Sequence, residues 1–240
     1  MRDCRSPAAA IVVLAKHPTP GRVKTRLAAA IGTASACRLY AAFVRDLRVR
    51  LREWDGPVWW AFTPARAPFP RLVGSRRCFP QRGGDLGARI HHAIAEVARR
   101  TSGPVLVVGA DAPHVSLRAL ERAARGLGRG TDVALGPAAD GGYYLIGLAR
   151  PMPALFVDMP WSTAEVAEAT RRRCRELGLS LLEVAGGFDV DGVDDLRALA
   201  AVVRRRPGEL VHTRAALHAI TREAGWPRPG ASPSSDCGRR

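Results

Sequence analysis

The feature that most constrains this chain is a repeated alternation of short apolar runs with longer segments of helical period. Ala10 to Leu14 is followed by Ala34 to Trp54, Val58 to Phe62 by Leu86 to Arg100, and Val105 to Val108 by Leu117 to Leu127. Strands of four to six residues that are apolar throughout, each followed by a helix, read as βα units around a parallel sheet buried on both faces. The segments Asp132 to Leu135 and Tyr143 to Leu148 follow with only a short Gly-rich stretch between them. That gap is too short for a crossover helix, so a strand pair, and with it a mixed sheet, is expected there. Helices over Thr163 to Leu177 and Val193 to Arg204, a strand at Leu181 to Val184 between them, and a last helix over Glu209 to Ala224 complete the pattern.

At 240 residues, such a chain supports one sizeable α/β core, with roughly 70–75% of its unfolded surface buried. We therefore expect a single domain over residues 9–224. Residues 225–240 hold Pro227, Pro229, Pro233 and several Gly and Ser, too little apolar surface to offset ordering, and are expected to be a disordered tail. Five scattered cysteines without a C-x-x-C pair argue against a zinc ribbon or disulfide framework and for a cytoplasmic location. Arg2 and Arg5 precede the apolar run Ala8 to Ala15, but Lys16 and His17 follow where a signal-peptide cleavage site should lie. No run approaches the ~20 apolar residues of a membrane span.

The chemistry-bearing segments fall at predicted strand ends. Lys16-His17-Pro18-Thr19-Pro20-Gly21-Arg22-Val23-Lys24-Thr25-Arg26 follows the first strand and leads into a helix. Ligands of open α/β sheets sit beyond the carboxyl ends of the strands, and such a loop presents backbone N–H groups to anions. Pro18, Pro20 and Gly21 restrict its path, and Lys16, Arg22, Lys24 and Arg26 add charge suited to phosphate; an ordinary basic βα loop is the alternative. The segment matches neither a Walker A loop nor G-x-G-x-x-G. Lys16 and Lys24 are the only lysines among 37 basic residues, which suggests compact point charges where Arg serves elsewhere.

Val105 to Val108 leads through Gly109 and Ala110 to Asp111, a strand-end carboxylate suited to a hard divalent cation bridging diphosphate oxygens, or to capping a turn. Asp140-Gly141-Gly142-Tyr143 lets a sugar or base approach the backbone, with Asp140 a candidate base or hydroxyl clamp; a tight turn is the alternative. Asp85, within Gln81 to Arg89, is a candidate substrate contact or the cap of the next helix. Of the carboxylates in Phe188 to Leu196, Asp191 reads as a helix N-cap and Asp194 and Asp195 as first-turn acids. Asp189 lacks that explanation and is the candidate second metal ligand beside Asp111. Ser162-Thr163-Ala164-Glu165 has the form of a capping box and so of a helix start, with a substrate contact as the alternative. His91 and His92 are adjacent on a helix and cannot readily share one metal. A net charge of +15 favours anionic partners, but the arginine runs Arg171 to Arg173 and Arg204 to Arg206 lie on predicted helices as solvated faces, so nucleic acid is a minor reading.

Taken in order, A-K-x-P-x-P-G-x-V-K-T-R-L, Q-x-G-G-D-L-G-x-R, G-A-D-A-P, G-P-A-x-D-G-G-Y-Y-L-I-G-L, W-S-T and D-V-D-x-x-x-D-L resemble the bacterial glycosyltransferase-A-like family named radical-SAM/selenodomain-associated transferase 1, over about Ile11 to Ala201. Related sequences tend to carry Thr where this chain has Gly192. The resemblance implies the nucleotide-diphosphosugar transferase superfamily and its three-layer α/β/α sandwich with a central, mixed, mostly parallel sheet. It also implies nucleotide phosphates on the first loop, Mg²⁺ or Mn²⁺ on Asp111, and donor or acceptor at Asp140 to Tyr143. The expected activity is a metal-dependent glycosyltransferase acting on a nucleotide sugar and a small-molecule acceptor. The alternatives are a guanylyltransferase-like nucleotidyltransferase that joins an NTP to a phosphorylated acceptor, and a non-catalytic anion or nucleic-acid binder.

Overall fold

The structure is a computed structural model and describes residues 8–224; the tail expected over 225–240, and Cys4 and Cys237 with it, lie outside the described residues. In chain order the elements are β1 (Ala10–Lys16), α1 (Thr25–Ile31), α2 (Thr33–Arg50), β2 (Val58–Thr63), α3 (Phe69–Val73), β3 (Cys78–Pro80), α4 (Leu86–Ala98), β4 (Val105–Gly109) and α5 (Leu117–Leu127). There follow β5 (Val133–Pro137), β6 (Tyr143–Leu148), α6 (Val166–Glu176), β7 (Leu181–Glu183), α7 (Val193–Arg205) and α8 (Val211–Ala224).

The strands form one sheet in the order β3-β2-β1-β4-β6-β5-β7. All neighbours are parallel except that β6 runs antiparallel to both β4 and β5. This is the expected mixed, mostly parallel sheet, and its reversed strand is the one marked by the short Gly-rich gap. Alternation along β1 divides the core. Ile11, Val13 and Ala15 point into a cluster with Leu27, Phe43, Leu47, Leu120, Leu196 and Ile220, from α1, α2, α5, α7 and α8. Ala10 and Val12 point the other way, into a cluster with Ile90, Ile94, Phe156 and Cys174, around α4 and α6. Helices thus cover both faces, giving three layers around the sheet.

Two helices and one strand escape the periodicity. α1 is seven residues and α3 five, too short for a periodic signal. β3 has three residues, pairs among the described residues only with β2 and ends in Pro80, as suits an edge strand. The expected capping box at Ser162 does not form. Helix α6 starts at Val166 without a side-chain cap, and Thr163 Oγ1 instead accepts from Glu165 N at 3.3 Å while donating to Pro160 O at 2.8 Å. The hydroxyl one residue later in the sequence closes a local turn, which leaves Ser162 with φ 66° and free of any capping role.

The last helix is tied to the core by a buried carboxylate. Asp46, on α2 and 2% exposed, accepts from His212 N at 3.0 Å and Thr213 N at 2.7 Å. It satisfies amides at the start of α8 from across the chain, in the way an N-cap residue does locally. Asp46→Ala leaves the buried Thr213 amide and the partly buried His212 amide without this acceptor and is expected to cost about 2 kcal/mol in urea denaturation; an unchanged midpoint would show that α8 does not depend on this bond.

Candidate active site

Parallel strands end at the same edge of a sheet, and that edge is where the motifs converge. Leu14 of β1 is in register with Gly109 of β4, so Lys16 and Asp111, each two residues further on, leave the sheet side by side. Gln81 follows β3, with its amide N donating to Phe62 O at 2.8 Å. Because β6 is reversed, it is its first residue, Tyr143, that reaches this edge. The segment after β7 is brought in by Val190 N, which donates to Asp111 O at 3.0 Å. Together these residues line a cleft of about 480 Å³ that contains Lys16, Lys24, Arg26, Asp111, Tyr143 and Asp189.

The cleft floor is an ionic cluster. Lys24 Nζ contacts Asp111 Oδ1 and lies 2.9 Å from Asp191 Oδ1, while Arg26 Nη2 lies 2.7 Å from Asp191 Oδ2. Burial works against the charge on Lys24, but Asp111 and Asp191 outweigh it and hold the ammonium's pKa above the usual value. Burial also disfavours ionised Asp191, and Lys24, Arg26 and Lys16 more than offset it, leaving that pKa low. Lys24 takes up its position through a left-handed backbone, φ 49° and ψ 45°, at the N-cap of α1. A non-glycine residue in that conformation carries a cost that the surrounding contacts must meet.

Asp189 differs from its neighbours. Its Oδ1 is buried with no hydrogen-bond partner among the described residues. Burial and the nearby charge of Asp111, only partly opposed by Lys24, push its pKa up to about 7. In the unfolded chain the same group titrates near an ordinary value of about 3.9. Between those values the folded chain binds the extra proton, so stability falls as pH rises through that window. Asp189→Asn removes the slope. Without divalent cations, the variant is expected to melt above the parent at pH 8, with the gap closing toward pH 4; a deficit of constant size across that range would contradict this reading.

The other expected site residues fall in three groups. Lys16, Lys24, Arg26, Asp111, Tyr143 and Asp189 are brought together in the cleft. Pro20 and Gly21 form an exposed turn beside it, in which Arg22 N donates to Thr19 O at 3.0 Å and Gly21 has φ 74°, so they shape the loop without lining the cleft. Asp85, Asp140, Gly141 and Gly142 also stand outside the lining. Asp85 accepts from Ala88 N at 2.7 Å as the N-cap of α4, the alternative open to it in the sequence. Asp140 accepts from Gly142 N at 3.0 Å, which commits one carboxylate oxygen to its own turn.

Asp191 corrects the sequence reading most sharply. Gly192, not Asp191, is the N-cap of α7, and Asp195 Oδ2 accepts from the amides of both Asp191 and Gly192, at 3.0 and 2.7 Å. Asp195 therefore holds the helix start, and the Asp191 carboxylate is released to Lys24 and Arg26. Three further residues were missed. Tyr40 takes a hydrogen bond from Lys16 N at 2.9 Å. Gln81 Nε2 donates to Ala15 O and Ala61 O, at 3.0 and 2.8 Å. Arg89 Nε donates to Gly83 O at 3.1 Å. Gln81 and Arg89 stand at the two ends of the Q-x-G-G-D-L-G-x-R string; Tyr40 carries no sequence signal, being one aromatic in a buried helix.

Among the described residues no three His, Cys, Asp or Glu side chains converge as a metal cage. His91 packs its ring against Phe156 and stands outside the cleft lining. Mg²⁺ does not require such a cage, since it binds through one or two carboxylates, substrate phosphates and water. Half-exposed Asp111 and Asp189, whose buried Oδ1 has no hydrogen-bond partner among the described residues, are carboxylates available to such an ion in this cleft.

Comparison with known proteins places this geometry. A family model described as "Uncharacterized protein conserved in bacteria (DUF2064)" matches residues 27–163. The chain belongs to this family. The "putative nucleotide-diphospho-sugar transferase" of Desulfovibrio desulfuricans G20 has a crystal structure that matches at 31% identity with a TM-score of 0.80, over 90% of this chain and 97% of that one. The fold is that of the nucleotide-diphosphosugar transferase superfamily. More distant structures share it. A CMP:2-keto-3-deoxy-manno-octonic acid synthetase complexed with CTP matches at 16% identity and TM-score 0.53, over 82% of this chain and 99% of that one. A cytidylyltransferase from Leptospira borgpetersenii serovar Hardjo-bovis matches at 11% and 0.53, over 92% and 96%. No curated protein matches the chain. The matched family region begins after the Lys16 to Arg26 loop and ends before Asp189, whereas the Desulfovibrio likeness spans most of the chain. Among the described residues no helix is long and apolar enough to cross a membrane.

Proposed function

We infer that this chain is a transferase that uses a nucleotide-activated donor, and specifically a metal-dependent glycosyltransferase acting on a nucleotide-diphosphosugar and a small-molecule acceptor. The observation that carries this reading is the pairing, in one cleft at the carboxyl edge of the sheet, of Lys16, Lys24 and Arg26 with Asp111 and Asp189. Cations there suit a diphosphate, and adjacent carboxylates suit the ion that accompanies it. The name carried by the 31% identical Desulfovibrio protein supports the same class.

Asp111 and Asp189 would hold Mg²⁺ or Mn²⁺, which when bound supplies positive charge against the diphosphate. The chain's own contribution is positioning and charge. Exposed Lys16 and Arg26 grip phosphate oxygens, and their charge stabilises the negative charge that builds on the leaving group. Gln81, with both amide hydrogens committed to backbone carbonyls, keeps a fixed wall on one side, and Tyr143 and Tyr144 form the other. In glycosyl transfer the bond from the anomeric carbon to the β-phosphate oxygen breaks, an acceptor hydroxyl oxygen bonds that carbon and releases its proton to solvent or to the departing diphosphate, and nucleoside diphosphate leaves.

A nucleotidyl transfer uses the same charges differently: an acceptor phosphate oxygen attacks the α-phosphorus of a triphosphate and diphosphate departs. The cytidylyltransferase and CTP-bound synthetase sharing this fold are the reason to test it. Incubation with sugar nucleotides, and separately with triphosphates, across a panel of acceptors distinguishes the two. Nucleoside diphosphate released from a sugar nucleotide in an acceptor-dependent way is expected. Pyrophosphate released from a triphosphate instead would overturn the glycosyl assignment.

A further inference from the structure

Two roles assigned to this cleft, holding a cation at Asp111 and gripping phosphate with Lys24, meet at one atom. Lys24 Nζ contacts Asp111 Oδ1 and lies 2.9 Å from Asp191 Oδ1. The Lys24 side chain is 3% exposed, whereas the two carboxylates are 42% and 38% exposed, so the ammonium lies behind them. The rings of Tyr40 and Phe43 back it, with centroids 5.8 and 6.0 Å away. Held there, the ammonium spends its donors on carboxylates and presents little surface to a ligand in the open cleft. A divalent cation on Asp111 would also face a like charge a few ångströms away in poorly hydrated surroundings, where repulsion is strong.

We propose that Lys24 is a displaceable internal cation: it neutralises Asp111 and Asp191 in the free protein, and a divalent ion at Asp111 expels its ammonium into the cleft, where it meets the donor's diphosphate. The proposal rests on reading the cleft as a metal and nucleotide site. Rotation of the flexible four-carbon stem suffices for the exchange, since Lys24 follows the exposed Thr19 to Arg22 turn and already lines the cleft. A compact ammonium makes such a move more readily than a planar guanidinium held by a fork of bonds, which accounts for a lysine at this position in a chain whose basic residues, apart from Lys16, are otherwise arginine. The consequence is positive coupling, because metal and nucleotide each favour the state in which Lys24 has moved.

Lys16 and Lys24 are the only lysines in the sequence, so amine acylation read by peptide mass spectrometry follows each separately in the full-length chain. Without metal, Lys24 is expected to react far more slowly than exposed Lys16. Saturating Mg²⁺ alone, its binding followed by calorimetry, should raise the Lys24 rate about fivefold or more and leave Lys16 unchanged. In parallel, Lys24→Gln should bind Mn²⁺ alone about tenfold more tightly than the parent, and Lys24→Arg, which keeps the charge, should not. If the glutamine variant does not fold, the acylation result on the parent decides. Measurable Mg²⁺ binding with unchanged Lys24 reactivity would overturn the displacement and leave the metal site standing. Absence of Mg²⁺ and Mn²⁺ binding to both parent and variants would remove the metal site itself, and the displacement with it.

Discussion

Asp111→Asn is expected to lower turnover by a factor on the order of 10³, equivalent to about 4 kcal/mol of transition-state stabilisation. The size follows from where Asp111 stands. It leaves β4 beside the end of β1 and is half-exposed to the cleft, so its loss removes a charge from the point where the donor's diphosphate and its cation would meet. Asparagine keeps the shape and one acceptor oxygen, and Lys24 keeps Asp191 as a partner 2.9 Å away. The melting temperature should therefore stay within about 4 °C of the parent, since the buried ammonium keeps a carboxylate partner and the group removed is itself half-exposed, a loss on the order of 1 kcal/mol. Activity assays beside a thermal melt check both halves. Full turnover in the variant would take Asp111 out of the site, whereas a collapsed melt would make it a structural residue.

Gly141→Ala is expected to be the most damaging small substitution in the site region, and for stability more than for chemistry. Gly141 has φ 86°, and a Cβ there would lie 1.9 Å from Ala164 O. The same residue accepts from Ala167 N at 2.9 Å through its carbonyl, so it docks the start of α6 against the β5 to β6 turn. Alanine must both adopt a left-handed backbone and push a backbone carbonyl aside. The cost is about 2–4 kcal/mol, a fall in Tm of roughly 5–15 °C for a chain of this length. Thermal melts of the variant test it; a shift within error would mean the turn and α6 separate without loss.

The fold was legible because its signals are long and redundant. Runs such as Ile11 to Leu14 and Val105 to Val108 are short, rich in β-branched residues and apolar throughout, which favours buried strands, and the short gap before Tyr143 leaves no room for a crossover helix, so the next strand is reversed. What escaped was short, as with α1, α3 and β3, or depended on which of several equivalent groups wins a hydrogen bond. At Phe188 to Leu196 four carboxylates compete for the amides at the start of α7, and sequence spacing favours Asp191 as the cap. The chain instead uses Asp195, reaching back to two amides, and this frees Asp191 for Lys24 and Arg26. The same logic governs Asp85 and Asp140, acids next to glycines whose own backbone offers the nearest donors. Lys24 was legible as a cation near phosphate chemistry but not as a buried one, because its burial depends on Tyr40 and Phe43, which reach it from α2, the second helix after it.

The central claim, that the cleft between Lys16 and Asp111 takes a nucleotide diphosphate, is tested most directly by calorimetric titration of nucleoside diphosphates and sugar nucleotides with Mg²⁺, against the parent and Lys16→Ala. Lys16 is exposed and carries no fold-holding ion pair among the described residues, so its removal should leave the melt unchanged. Saturable one-to-one binding is predicted, selective among nucleotides, dependent on Mg²⁺ and weakened about tenfold, or ~1.4 kcal/mol, in the variant. Binding indifferent to nucleotide identity, to Mg²⁺ and to Lys16, and falling steeply with salt as nonspecific phosphate attraction does, would contradict the account.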